Sequence, residues 1–107
     1  AEEVFVKNVI STIEKNLQNT DFSSEVLASE LNMSGSSLYR KLKSVTGFST
    51  AGFIRTIRIK RAAQLLADKQ RTITEIAYDV GFNDLKHFRT VFQKHFGCSP
   101  TDYRDKL

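Results

Sequence analysis

The sequence has few of the features that stabilise secreted proteins or direct a chain to a membrane. Cys98 is the single cysteine, so no intramolecular disulfide can form, and a reducing compartment is expected. No segment approaches the ~20 apolar residues of a membrane span. The first ten residues lack the basic start and apolar core of a signal peptide. We therefore expect a cytoplasmic domain without membrane contact.

The N-terminus resembles the interior of a longer chain. The sequence begins inside a helical pattern and without an initiator Met. We expect that further chain precedes Ala1 in the complete protein and that the parent protein is membrane-anchored if it is a sensor. Any dimerisation is then expected to occur mainly through those missing regions.

Acidic residues are absent from two long stretches. There is no Asp or Glu at positions 31–67 or 85–101, although both stretches contain several Lys and Arg residues. The formal net charge is only +4, from 16 basic and 12 acidic residues, so the distribution carries more information than the total. It predicts one positive face, which attracts either nucleic acid or an acidic protein.

Recognisable catalytic and metal-binding patterns are also missing. The sequence has no Ser/His/Asp or Cys/His set and no glycine-rich phosphate loop. His87 and His95 have no carboxylate or thiolate partner at the spacing of metal ligands. We expect neither an enzyme nor a cofactor or metal site.

The apolar spacing predicts an all-α fold of about seven helices. Leu38, Leu42 and Val45 form one buried stripe, and Phe88, Val91, Phe92 and Phe96 form another. Helix starts are marked by the capping box of Thr72 and Glu75 and by N-cap serines at 23, 34, 49 and 99. The first helix is expected to bury Val4, Val9, Ile10, Ile13 and Leu17. A long helix is expected from about Thr50 to Asp68, with Phe53, Ile54, Ile57, Leu65 and Leu66 in the core.

The two halves of the chain repeat each other. The set Leu27, Ala28 and Leu31 corresponds to Ile76, Ala77 and Val80. The set Leu38, Leu42, Gly47, Ser49 and Phe53 corresponds to Phe88, Phe92, Gly97, Ser99 and Tyr103 at an offset larger by one. Each half reads as two short helices joined by a tight turn, which is a helix-turn-helix. The expected organisation is a first helix-turn-helix subdomain at 1–49, a linker helix at 50–68 and a second subdomain at 69–107.

At this point the sequence resembles the DNA-binding domain of AraC/XylS-type bacterial transcription regulators. The resemblance covers about Phe22 to Arg104 and is most specific in EIAYDVGFNDLKHFRTVFQKHFGCSPTDYR. In the first unit, the segment MSGSSLYRKLKSVTG is similar to the C-terminal output domain of hybrid two-component sensor-regulators. Two departures stand out, because Leu85 replaces a commonly polar residue and Asn32 occupies the turn position held by Gly81 in the other unit. The backbone of Asn32 is expected to adopt the left-handed conformation, with a positive φ.

Helical geometry predicts which side chains of the second helix in each unit point outward. At 100° per residue, the positions opposite the two buried stripes are Ser36, Tyr39, Arg40 and Lys43, and Lys86, Arg89, Thr90 and Gln93. The residues near each N-terminus, up to Arg40 and Thr90, are expected to read bases, whereas Lys43, Gln93 and Lys94 meet the DNA backbone. Tyr39 and Leu85 are candidates for packing on thymine methyl groups. The family resemblance implies the same positions.

The predicted function is sequence-specific binding of double-stranded DNA in transcription regulation. Because the two recognition helices differ in sequence, we expect an asymmetric site with two unlike parts about 34 Å apart, or a bent duplex. RNA polymerase is an expected partner of the full-length regulator. Two alternatives remain open: a basic helical module that docks an acidic protein, and a homeodomain-like or ribosomal RNA binder. Arg58 and Arg104 are equally compatible with structural and phosphate-binding roles.

Overall fold

The computed structural model describes all residues from 1 to 107. It contains seven α-helices and no strand. The helices are α1 Glu2–Lys15, α2 Ser24–Glu30, α3 Gly35–Thr46, α4 Thr50–Leu65, α5 Ile73–Asp79, α6 Leu85–Phe96 and α7 Pro100–Asp105. The predicted all-α architecture with seven helices is confirmed. No helix has both the length and the apolar character needed to cross a bilayer.

Local capping chemistry explains where most of these helices begin. The hydroxyls of Ser23, Ser34 and Ser99 each accept a hydrogen bond from a backbone N–H three residues later. At α5, the Thr72 hydroxyl accepts from the N–H of Glu75, and the Glu75 carboxylate accepts from the N–H of Thr72. These bonds satisfy N–H groups that have no acceptor within the helix, so short segments form defined helices. The predicted caps and the capping box are confirmed.

The long helix α4 is shorter than the sequence predicts. It ends at Leu65 rather than near Asp68. After Leu65 the hydrogen bonds tighten, because Ala67 N–H bonds to the Gln64 carbonyl and Asp68 N–H to the Leu65 carbonyl. The carbonyls of Leu66 and Asp68 instead accept from the side chain of Arg104. A distant residue thus caps carbonyls just beyond the end of the helix, a contact that no local pattern could indicate.

Two compact units divide the chain. Unit 1 contains residues 1–16 and 21–57, and unit 2 contains residues 17–20 and 58–107. The core of unit 1 includes Val9, Ile13, Phe22, Leu27, Ala28, Leu38, Leu42, Phe53 and Ile54. The core of unit 2 includes Ile59, Ala62, Ala63, Leu66, Ile76, Ala77, Val80, Phe82, Phe88 and Phe92. Each core holds together one helix-turn-helix.

The helix α4 supplies apolar side chains to both cores, and its buried stripe therefore shifts along its length. Phe53 and Ile54 belong to the core of unit 1. Ile59, Ala62 and Ala63 belong to that of unit 2. The predicted core residues Phe53, Ile54 and Leu66 are buried, while Ile57 and Leu65 are half-buried. The predicted single stripe of buried residues did not include Ile59, Ala62 and Ala63, because this helix packs into two cores.

The first helix also differs from its predicted stripe at both ends. Val9 and Ile13 are fully buried, but Val4 is 60% exposed. Leu17 lies beyond the end of α1 and packs against the core of unit 2. The prediction that Val4 is buried was therefore wrong, because Val4 lies outside the core of unit 1.

The two turns use different residues in the left-handed backbone region. Asn32 has φ +58° between α2 and α3, and Gly81 has φ +97° between α5 and α6. The prediction of a left-handed Asn32 is confirmed. Asn adopts this region at lower cost than most residues, and its side chain stays exposed here.

Candidate nucleic-acid interface

In unit 1, α3 presents a polar face opposite its buried stripe. Leu38 and Leu42 are fully buried and fix the rotation of the helix. The four predicted outward side chains of this helix are all exposed: Ser36, Tyr39, Arg40 and Lys43. Tyr39 keeps 46% of its surface accessible. The face thus offers hydroxyls, a guanidinium and an ammonium group to a partner.

Two lysines of α3 have intramolecular partners. The Lys43 ammonium donates to the carbonyl of Gly47 at 3.0 Å and so caps the C-terminal end of the helix. The Lys41 ammonium lies 4.5 Å from the centre of the Phe5 ring, within cation–π distance. Lys43 remains exposed, so its cap does not prevent a phosphate contact, while Arg40 projects from the same face.

In unit 2, α6 is held by an aromatic cluster. Phe88 and Phe92 are fully buried, and their ring centres are 5.9 Å apart. Tyr103 on α7 meets Phe92 edge-on, with ring centres separated by 5.4 Å. The opposite face of the helix exposes five predicted residues: Lys86, Arg89, Thr90, Gln93 and Lys94. This unit therefore displays three cations and two neutral polar side chains on one helix.

Leu85 occupies a different environment from the other candidates. It is the first residue of α6, is half-buried and packs against the core of unit 2. The neighbouring Asp84 caps this helix, accepting from the N–H of Lys86 at 2.9 Å. The hydroxyl of Thr90 donates to the Lys86 carbonyl at 3.0 Å, which leaves the Thr90 oxygen able to accept from a partner. Only the exposed part of Leu85 is available to a base.

Arg58 and Arg104 both donate hydrogen bonds to backbone carbonyls within unit 2. Arg104 bonds to the carbonyls of Leu66 and Asp68, each at 3.1 Å. Arg58 donates to the carbonyl of Asn19 at 3.0 Å, and burial lowers the pKa of its guanidinium. Of the two roles left open by the sequence, these contacts favour the structural one for both residues.

Two residues at the start of α4 were not among the predicted site residues. Thr50 is 5% exposed, and Ala51 beside it is exposed. The sequence repeat does distinguish this position, because Pro100 in the second unit corresponds to Thr50 in the first.

Residues 27–106, well over half of the chain, match a family described as "Helix-turn-helix domain". Among solved structures, the C-terminal domain of AraT, a response regulator from Geobacillus stearothermophilus, has a TM-score of 0.86 and 34% identity. The match covers 95% of this chain and 84% of that one. The chain belongs to the AraC-type helix-turn-helix family. AraC-type helix-turn-helix domains bind DNA and regulate transcription.

Another structural neighbour contains DNA. The DNA-binding domain of AdpA, a global transcriptional factor solved in complex with a target DNA, has a TM-score of 0.84 and 28% identity. The match covers 92% of this AraC-type chain and 87% of the AdpA chain. The similarity extends over nearly the whole chain, so it includes both helix-turn-helix units.

Curated relatives are much longer than this AraC-type domain. Histidine kinase P4 from Formosa agariphila is 37% identical over 105 residues, which is 98% of this chain but 8% of that protein. The transcriptional activator RhaS from Salmonella arizonae is 38% identical over 80 residues, which is 75% of this chain and 29% of RhaS. The chain thus spans less than a third of either relative.

Proposed function

We propose that this AraC-type domain reads an asymmetric DNA site by placing α3 and α6 in adjacent segments of the major groove. The observation that carries the proposal is the matched pair of exposed faces on these two helices. In each unit, the positions opposite the buried stripe hold polar and basic side chains. Because the two sets differ, two unlike half-sites follow, about one helical turn of B-DNA apart.

Each exposed residue has a proposed role set by its position on the recognition helix. Ser36, Tyr39 and Arg40, near the start of α3, read bases of one half-site. Lys86, Arg89 and Thr90 do the same in the other half-site, with Leu85 contributing its exposed surface. The later residues Lys43, Gln93 and Lys94 contact the backbone. Either Arg40 or Arg89 can bind the O6 and N7 atoms of guanine with two hydrogen bonds.

Selection of duplexes from a random pool tests the proposal directly. We expect enrichment of one two-part, non-palindromic sequence. Its affinity should fall steeply with salt, because each Lys or Arg on a phosphate contributes about 0.9 to the logarithmic slope. Failure to enrich any duplex would favour the alternative in which this basic surface docks an acidic protein. Competition by RNA separates the remaining alternative of an RNA binder.

We further propose that the domain is the DNA-binding output of a longer regulator. The similarity to a histidine kinase supports a link to two-component signalling, with the signal received elsewhere in that protein. RNA polymerase is the proposed partner in transcription, and dimer contacts are proposed to lie mainly outside this domain. Such an output acts on chromosomal DNA and hence in the cytoplasm. Co-purification of RNA polymerase with the full-length protein on its selected operator tests this assignment.

A further inference from the structure

A groove in unit 1 lies where two helices begin. Gly35 is the first residue of α3, and Thr50 and Ala51 are the first two of α4; all three line this groove of about 300 Å³. Tyr39, one turn further along α3, lines it as well. Helix N-termini carry a partial positive charge and favour anions. Two of them open into the same space.

The first turn of α4 has backbone donors without acceptors. The Ser49 hydroxyl accepts from the N–H of Gly52 at 3.0 Å, and the Ser49 carbonyl accepts from the N–H of Phe53 at 2.8 Å. The N–H groups of Thr50 and Ala51 have no such acceptor, as expected for the first positions of a helix. They are available to a ligand oxygen in the groove.

Thr50 provides an independent sign that a ligand belongs here. Its side chain is buried, and its hydroxyl has no hydrogen-bond partner in the protein. A buried hydroxyl without a partner is costly, and few are retained in folded proteins. Thr50 lines the groove, so rotation of its side chain would bring this hydroxyl to an acceptor oxygen bound there.

Two charged side chains, one in the lining of the groove and one near the first turn of α4, indicate which anion fits. The Arg55 guanidinium folds back toward the start of α4, with Nη2 3.7 Å from where a Cβ on Gly52 would lie. Glu25 lines the groove and opposes it with a negative charge. A phosphodiester carries one negative charge, so it suffers less repulsion from Glu25 than a free phosphate dianion does.

We propose that this groove is a phosphate subsite for the DNA backbone beside the first recognition helix. The N–H groups of Thr50 and Ala51 and the Thr50 hydroxyl donate to a phosphodiester oxygen. This rests on the proposed function and deepens it. In unit 2, Pro100 occupies the position of Thr50 and has neither an N–H nor a hydroxyl. The subsite therefore belongs to the first half-site alone.

Two substitutions at position 50 remove donors while preserving the helix. Thr50→Val deletes the hydroxyl only, and Thr50→Pro deletes the hydroxyl and the N–H. Proline is favoured at the first position of a helix, and Pro100 already occupies that position in the repeat. Thr12→Val, on α1 and outside the groove, removes a different threonine hydroxyl and serves as the control.

Binding and thermal stability are measured together on the selected duplex. We expect Thr50→Val to bind about ten- to 150-fold more weakly, the usual size of one hydrogen bond to a charged group, and Thr50→Pro more weakly still. Thr50→Val should retain or raise the melting temperature, because the hydroxyl has no partner in the free protein. A purely structural role for Thr50 predicts the opposite, lower stability together with any loss of binding.

Methylphosphonate replacement of single phosphates locates the contact. With the wild type, one neutralised phosphate beside the first half-site should weaken binding, and Thr50→Pro should show no further loss there. Unchanged affinity and an unchanged phosphate profile in both variants would overturn the subsite but not DNA binding. If the wild type selects no duplex, the proposed function itself fails. If Thr50→Pro does not fold, Thr50→Val decides the outcome through its own affinity and phosphate profile.

Discussion

Gly81 shows how one residue constrains the second helix-turn-helix. Its φ of +97° lies where side chains are strained, and a Cβ at this position would lie 2.3 Å from the Leu17 carbonyl oxygen. The same Cβ would lie 2.7 Å from Nε of Arg58. The tight turn thus depends on the close approach of Gly81 to the backbone of residue 17 and to the guanidinium of Arg58, all within unit 2.

Substitution of two glycines in unit 2 separates backbone strain from steric overlap. Gly97 has φ +78° with open space around its position, so Gly97→Ala should cost about 1 kcal/mol of unfolding free energy. Gly81→Ala adds overlap with backbone and should cost about 2 to 4 kcal/mol. Chemical denaturation measures both. Equal losses would mean that the packing around Gly81 relaxes freely.

Arg104 gives a second prediction at the residue scale. Its guanidinium donates to two carbonyls beyond the end of α4, so Arg104→Ala should lower the unfolding free energy by about 1 to 3 kcal/mol. The exposed Arg61, bonded only to the nearby Gln64, is the control, and its alanine variant should stay within about 0.5 kcal/mol. A phosphate role would instead appear as a lower salt slope of DNA binding with unchanged stability.

At the scale of elements, short helices depend on their caps. The helix α5 has only seven residues and a complete capping box. A segment this short is unstable alone, so the cap and the packing of Ile76 and Ala77 must hold it in place.

The capping box predicts an acid-dependent stability. The backbone N–H of Thr72, and then its hydroxyl, lower the pKa of the Glu75 carboxyl. A lowered folded-state pKa gives stabilisation that is complete above the unfolded value of about 4.3 and is lost as pH falls through the folded value. The melting temperature of the wild type should therefore exceed that of Glu75→Gln at neutral pH, and the gap should close on acidification.

Measuring melting curves of both proteins between neutral and acidic pH checks this expectation. Thr72→Ala provides the comparison for loss of the cap itself, at a cost of about 1 kcal/mol at neutral pH. A gap between wild type and Glu75→Gln that persists unchanged at the lowest pH would show that the carboxylate charge does not contribute.

At the scale of the whole molecule, two related but unlike units occur in one chain. Their recognition helices share a pattern of burial while differing in exposed chemistry: α3 carries a tyrosine where α6 carries an arginine. The helices that follow the recognition helices also begin differently, because α4 starts with Thr50 and α7 starts with Pro100. A single chain therefore has two unlike DNA-reading units, and the DNA sequence that it prefers should be non-palindromic.

Alanine variants of the two exposed arginines test that directionality. Arg40→Ala and Arg89→Ala should each weaken binding to the selected duplex by about 1 to 3 kcal/mol if the arginine holds a guanine. Each should relax preference at different bases. Lys60→Ala, which removes an exposed cation from α4, controls for charge and should act equally on all sequences. Equal loss on every duplex for the arginine variants would make them phosphate contacts only.

Much of this protein follows from its sequence because the controlling interactions are local. Helix starts depend on hydroxyls and N–H groups three residues apart, as at Ser34 and Thr72. The outward direction of Arg40 and Arg89 follows from the apolar spacing of the same helix. Those forces act within one or two turns, so a linear pattern contains them.

Tertiary structure alone decided the features that depend on residues far apart in the chain. Arg104 reaches the Leu66 carbonyl across 38 positions, and Arg58 reaches that of Asn19 across 39. The early end of α4, the shift of its buried stripe and the unpartnered hydroxyl of Thr50 likewise arise from packing. No local spacing encodes which side chain meets which carbonyl, since that pairing exists only after the chain has folded.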